Sequence, residues 1–223
     1  MYPALAIDCS DQVCSVAISD GTNSWQLEEE GNRQQARKIL SLVENCLNKA
    51  DISKQQLQSI CWAAGPGSFT GLRIATAVSQ GLAYALNLPL TPISSLEAMA
   101  AAASSATPLE KGGKLLAITD ARMGEYYWAF FEVDSKGEMT RLSEDSLSSI
   151  ELITCASNLN LDLALIVGSG AEAFESSAPK IGKSINRASD LFSLAEEGKQ
   201  INAREAEPVY LRSKSAWKTL EQQ

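Results

Sequence analysis

The 223-residue sequence contains no histidine. Histidine is the usual general base near neutral pH and the commonest metal ligand. Its absence excludes a Ser-His-Asp triad, a Cys-His dyad and an HExxH zinc site. Hydrolysis by this chain would have to use carboxylates, lysine or a metal held by oxygen ligands. No run approaches the roughly 20 apolar residues of a membrane span. The opening Met1–Leu5 has neither a basic stretch nor a long apolar one, so no signal peptide is expected. The five cysteines are odd in number and form no CxxC pair. They are expected as reduced thiols in a cytoplasmic protein, all but Cys155 among apolar neighbours. Basic charge is also scarce: 19 Lys and Arg against 27 Asp and Glu leave a net −8. A stand-alone nucleic-acid binder needs a basic face, so the charge argues against one and leaves room only for nucleic acid reached through a basic partner.

With 45% hydrophobic and 21% charged residues the chain is globular, and its length suits one or two domains. Ala4–Ile7, Val13–Ser19 and Ser24–Glu30 read as strands, with Asp20-Gly21-Thr22-Asn23 as a turn. Asn32–Ala50 reads as an amphipathic helix, with Ala36, Ile39, Leu40, Val43, Cys46, Leu47 and Ala50 at three- and four-residue steps. A strand at Ser59–Ala64, helices over Leu72–Leu86 and Leu96–Ala103, and a Ser/Thr/Pro/Gly connection at Ser104–Gly113 follow. Beyond it come strands at Lys114–Thr119, Glu125–Val133 and Leu163–Val167, a helix at Ser189–Glu197 and an extended stretch at Pro208–Arg212. One echo stands out: Leu5-Ala6-Ile7-Asp8 opens the first half, and Leu116-Ala117-Ile118-Thr119-Asp120 opens the second. With the mixed strand and helix order it points to two related α/β lobes.

Three stretches could carry chemistry. Gly65-Pro66-Gly67-Ser68-Phe69-Thr70-Gly71 lies between a strand and a helix, where backbone N–H groups can meet an anion. Its glycine spacing is one residue longer than the dinucleotide fingerprint, it lacks the lysine of a P-loop, and Pro66 removes a donor. A tight turn that packs a helix on a sheet is the competing explanation. In the next helix Gly71, Ala75, Ser79 and Ala83 recur every four residues. Small side chains allow close helix contact, either within the core or at a subunit interface shared with the helix Ala36–Ala50. Arg73, one turn in, would meet a carboxylate or phosphate. Third, Asp120-Ala121-Arg122-Met123-Gly124-Glu125 gathers two carboxylates and a guanidinium. It suits acid–base work, Mg²⁺ binding or a salt-bridged turn. Asp8, Ser10 and Asp11 form a similar polar turn in the first half.

Four ordered stretches resemble the TsaB (YeaZ) family: LAIDCS at Leu5–Ser10, GPGSFTGLR at Gly65–Arg73, DARMGEYYW at Asp120–Trp128 and AEPVYLR at Ala206–Arg212. The resemblance spans nearly the whole chain. It implies a two-lobed α/β fold of the actin-like, Hsp70-like ATPase (ASKHA, ribonuclease H-like) kind with a degenerate nucleotide site. Residues 1–103 would form the partner-binding lobe, 114–205 the second lobe, and 206–223 a segment returning to the first. The implied function is that of a non-catalytic subunit in threonylcarbamoylation of the adenosine beside the anticodon, in tRNAs reading codons that begin with A. Such a subunit stabilises the catalytic paralogue TsaD, helps recruit the ATPase TsaE, and forms a homodimer in isolation. It carries no cofactor; ATP and metal belong to the partners, and tRNA is met indirectly.

The interface residues expected on this basis are Ala36, Ile39, Leu40 and Val43 on one helix, with Gly71, Arg73, Ala75, Ser79 and Leu82 on the next. Asp8, Ser10, Gly67, Ser68 and Asp120 are the candidates for a nucleotide or phosphate. Two departures from the pattern exist. Gln34 and Gln35 stand where family members commonly carry a histidine, and Asp8 is followed by Cys9-Ser10-Asp11-Gln12 where actin-like ATPases usually hold a glycine. The alternative functions are a small actin-like ATPase or sugar kinase, built on Asp8 and Asp120, and a glycoprotease-like metallopeptidase. The missing histidines count against the last.

Overall fold

Ala4–Asp8 forms β1, and all five of its residues are buried, as a central strand requires. The computed structural model describes residues 2–30, 35–107, 109, 112–157, 162–183, 187–195 and 197–212. β2 (Val13–Ser19) returns antiparallel to β1, and β3 (Ser24–Glu30) continues the meander at the sheet edge. Helix α1 (Gln35–Ala50) leads to β4 (Ser59–Gly65), which lies parallel to the other side of β1. Helix α2 (Phe69–Leu86) then leads to β5 (Leu90–Ser94), giving the order β3-β2-β1-β4-β5. The expected residues Asn32–Gln34 of the first helix lie outside the described residues.

The second sheet repeats the plan. β6 (Gly113–Asp120) and β7 (Glu125–Val133) form an antiparallel hairpin, and β10 (Leu163–Val167) lies parallel on the far side of β6. β8 (Met139–Arg141) and β9 (Ser146–Ser149) pair with β7, and β11 (Lys180–Ile181) closes the edge. The echoed Leu-Ala-Ile stretches therefore occupy equivalent strands, β1 and β6, each ending in an aspartate. The two sheets give the two-lobed α/β plan expected from the sequence. Helix α4 (Ile150–Ser157) has no counterpart among the sequence expectations.

Helix α3 (Ser95–Ala106) joins the lobes. Leu96, Met99, Ala100 and Ala103 pack with Leu115, Ala117, Phe131 and Leu165 of the second sheet. Ala98 faces Ala6, Ala17, Cys61 and Ala63 of the first. Alanine explains the fit, since small side chains let a helix lie close to a sheet on two sides. Arg141 of β8 adds a polar tie, reaching Glu97 of α3 at 2.8 Å and Asp145 at 2.6 Å.

The chain regains the first sheet earlier than residue 206. A 3-10 helix over Ala188–Leu194 stands where an α-helix to Glu197 was expected. Its Ala188 N–H donates to Ser15 Oγ at 2.9 Å, and Leu191 is buried beside Ala17 and Cys61. Ile201 exchanges backbone hydrogen bonds with Leu90, and the Val209 N–H donates to the Ala64 carbonyl at 2.7 Å. Cys9 and Cys14 correct another expectation, because they form a disulfide with Cα atoms 4.2 Å apart. The register Asp8↔Ser15 sets them opposite each other at the end of the β1–β2 hairpin, as a directly opposed antiparallel pair. Cys46, Cys61 and Cys155 are free, and burial pushes the Cys61 thiol up to about 12.

Candidate functional site

The two related strands β1 and β6 end at one cleft between the lobes. Its volume is about 1250 Å³, and Asp8, Ser10, Gly67, Ser68 and Asp120 all line it. The structure thus brings together the five residues proposed from sequence for a phosphate. Their surroundings show how each is already engaged. Asp8 Oδ1 accepts from the Ser10 N–H at 2.8 Å and from Ser10 Oγ at 2.7 Å. The Ser68 N–H donates to the Ser10 carbonyl at 2.7 Å, and Ser68 Oγ caps α2 by accepting from the Gly71 N–H. Asp120 Oδ1 accepts from the Arg122 N–H at 2.7 Å, while Oδ2 lies 3.3 Å from the Arg122 guanidinium.

The glycine loop has a packing explanation. A Cβ at Gly67 would overlap the Ser10 carbonyl, and one at Gly71 would overlap the carbonyl of Cys9. Gly65 has φ +126°, and a Cβ there would stand 2.7 Å from the Val209 carbonyl. Only glycine tolerates such approaches together with positive φ. The loop clamps β1, α2 and the C-terminal segment together, and its glycine faces are filled by protein.

The cleft still has features that the protein leaves unmatched. The hydroxyls of Ser95 and Thr119 line it, are buried, and have no hydrogen-bond partner among the described residues. Its five cations differ in their pairing. Arg122, Arg187 and Arg212 meet Asp120, Glu28 and Glu125. Arg73 and Lys183 have no carboxylate partner among the described residues.

The expected interface residues fall mostly inside the chain. Ile39, Val43 and Ala75 belong to the core cluster of the first lobe, and Gly71 and Ser79 are buried too. Leu82 packs against the same cluster. This corrects the sequence assignment of the five buried residues to a partner surface, while Leu82 stays half-buried. The physical reason is the overlap at Gly71: the small stripe of α2 lets the helix approach its own sheet. The side chain of Ala36 lies outside the described residues. Leu40 and Arg73 remain exposed.

A different set faces outward. Tyr84 on α2 is 67% exposed and Leu40 on α1 is 56% exposed. Ala77, Gly81 and Ala85 form a second small stripe on α2, also exposed. A Cβ at Gly81 would meet nothing within 4 Å. The sequence carried this signal, since Arg73, Ala77, Gly81 and Ala85 also recur every four residues. Two stripes of small residues share one helix, and spacing alone does not say which faces inward.

Residues 28–201 match the family model described as "TsaD: tRNA N6-adenosine threonylcarbamoyltransferase". The tRNA threonylcarbamoyladenosine biosynthesis protein TsaB of Escherichia coli (strain K12) is 33% identical over 234 aligned positions, covering 97% of each chain. A tRNA N6-adenosine threonylcarbamoyltransferase of Legionella pneumophila (strain Corby) is 36% identical over 107 positions, covering 44% of this chain and 32% of its own length. The solved structure of YeaZ from Pseudomonas aeruginosa superimposes with a TM-score of 0.82 at 31% identity, covering 95% of this chain and 100% of that one. With this shared fold and near full-length similarity, the chain belongs to the TsaB (YeaZ) family of tRNA threonylcarbamoyladenosine biosynthesis proteins.

Proposed function

We propose that the chain is a non-catalytic subunit that binds a TsaD-type transferase through the outer face of α1 and α2. The observation that carries this is the exposure of Tyr84 next to the open Gly81 stripe of α2, together with the exposure of Leu40 on α1. Large exposed apolar side chains with small neighbours suit a helix-to-helix contact with another chain. The same face would serve for a homodimer when the transferase is absent. The absence of histidine supports a role without a His-based metal site of its own. Metal and ATP then belong to the partners, including a TsaE-type ATPase. The net charge of −8 favours indirect contact with tRNA. A cytoplasmic setting fits this role.

The test is co-purification with the transferase, followed by threonylcarbamoyl transfer to tRNA with and without this chain. Transfer that depends on the chain, and is lost in Leu40→Glu/Tyr84→Ala, is the expected result. Full pairing and transfer by that double variant would remove the interface assignment. Mg-ATP turnover by the isolated chain, abolished in Asp8→Asn, would favour the ATPase alternative instead.

A further inference from the structure

We propose that Arg73 is the centre of an anion clamp at the interlobe cleft, completed by the C-terminal segment, that takes a small phosphate-type oxyanion. Arg73 projects from the first turns of α2 into the lining of the cleft. Its guanidinium lies over the Phe69 ring at 3.8 Å from the centroid. Its Nε donates to Tyr210 Oη at 2.9 Å. The Phe69 and Tyr210 rings pack at 5.4 Å. One face and one edge of the guanidinium are therefore fixed by protein. The two terminal nitrogens hold no hydrogen bond or ion pair among the described residues. That arrangement leaves the planar fork that matches two oxygens of a phosphate.

Tyr210 reaches this position because its neighbour is anchored. The Val209 N–H bonds to the Ala64 carbonyl, and Gly65 leaves room for the Val209 carbonyl. The clamp thus joins α2 to a segment 137 residues away in sequence. Lys183 supplies a second cation in the same cleft without a carboxylate partner among the described residues. Ser95 and Thr119 also line the cleft, with buried hydroxyls that have no partner among the described residues. The glycine loop is not the cradle, because the Ser10 and Cys9 carbonyls occupy its faces. A cleft of about 1250 Å³ in a chain of charge −8 favours a compact anion over an extended polyanion.

The test is calorimetric titration of the full chain with inorganic pyrophosphate at fixed ionic strength. Saturable one-site binding is expected. Arg73→Lys keeps the charge but loses the fork, and should weaken binding about tenfold, the loss of one charge-assisted hydrogen bond. Tyr210→Phe keeps the ring but frees Nε, and should weaken binding by a smaller factor. Lys183→Ala should weaken it independently of either. Each variant is compared at unchanged thermal unfolding, and Arg73 and Lys183 are exposed enough to change without loss of fold. No saturable pyrophosphate binding by the unaltered chain overturns the proposal. Equal affinity in Arg73→Lys overturns it as well. Tighter binding of a short single-stranded RNA than of pyrophosphate, through the same Arg73, overturns the assignment to a small anion.

Discussion

Arg212 Nη2 stands 2.7 Å from Glu125 Oε2, joining the C-terminal segment to the second lobe. The same guanidinium donates to the carbonyls of Ala121 at 3.1 Å and Arg122 at 3.3 Å. Those contacts hold a turn in which Arg122 and Met123 have φ of 66° and 59°. Non-glycine residues pay for the left-handed region with strain, so the turn depends on what fastens it. Arg212→Ala should destabilise the protein by about 1 kcal/mol, a value kept low because Glu125 is partly exposed. Hydrogen exchange should show the Ala121 and Glu125 amides losing protection first, since they close this turn. Uniform exchange across β6 and β7 would mean that Arg212 fastens nothing local.

The two faces of α2 should respond oppositely to bulk. Ala75 is fully buried in the first core. Ala75→Trp should therefore lower stability by more than the roughly 1–3 kcal/mol typical of overpacking, and pairing would be lost through unfolding. Gly81→Trp starts from an exposed position where a Cβ meets nothing within 4 Å. Its thermal unfolding should stay close to that of the unaltered chain while transferase binding falls. Gly81→Ala should stabilise the isolated chain by up to about 1 kcal/mol, because glycine is a poor helix former.

Much of the architecture was legible because periodicity reports burial. The alternation of strand and helix, the two Leu-Ala-Ile echoes and the α1 pattern all map onto the sheets. Helix starts were placed a little late, since Ser68 and Ser94 cap α2 and α3 with their own side chains. The face of α2 was misassigned because both its stripes repeat every four residues. Its inward choice depends on a contact with Cys9, more than sixty residues away, which no local pattern encodes. The Cys9–Cys14 bridge needed the strand register, and the Arg73–Tyr210 pair needed the path of the C-terminal segment. The five cleft residues were found because each ends or follows a strand of the repeated plan.

Gly71 gives a sharp check on the packing account of the glycine loop. A Cβ there overlaps the Cys9 carbonyl, a backbone atom that cannot step aside. Gly71→Ala should cost several kcal/mol despite adding only a methyl group to a helix, where alanine is normally favoured by about 1 kcal/mol. Denaturant unfolding would read this directly. A neutral or stabilising effect would show that α2 does not sit against β1 as described.

Asp190 gives a test by pH. Burial raises its carboxyl pKa, partly offset by the Arg187 N–H that bonds to it at 2.7 Å and by the Arg187 charge. The unfolded carboxyl titrates near 3.8. Between that value and the raised native one, the native state holds more protons than the unfolded state. Stability contributed at this site therefore falls as pH rises through the window and is constant above it. Asp190→Asn keeps an acceptor for the Arg187 N–H and removes the titration. The variant should gain on the parent protein as pH rises above 3.8, with the difference levelling once the native carboxyl is ionised. Parallel stability curves for the two proteins across that window would mean that the Ala188–Leu194 helix does not press Asp190 into the first lobe.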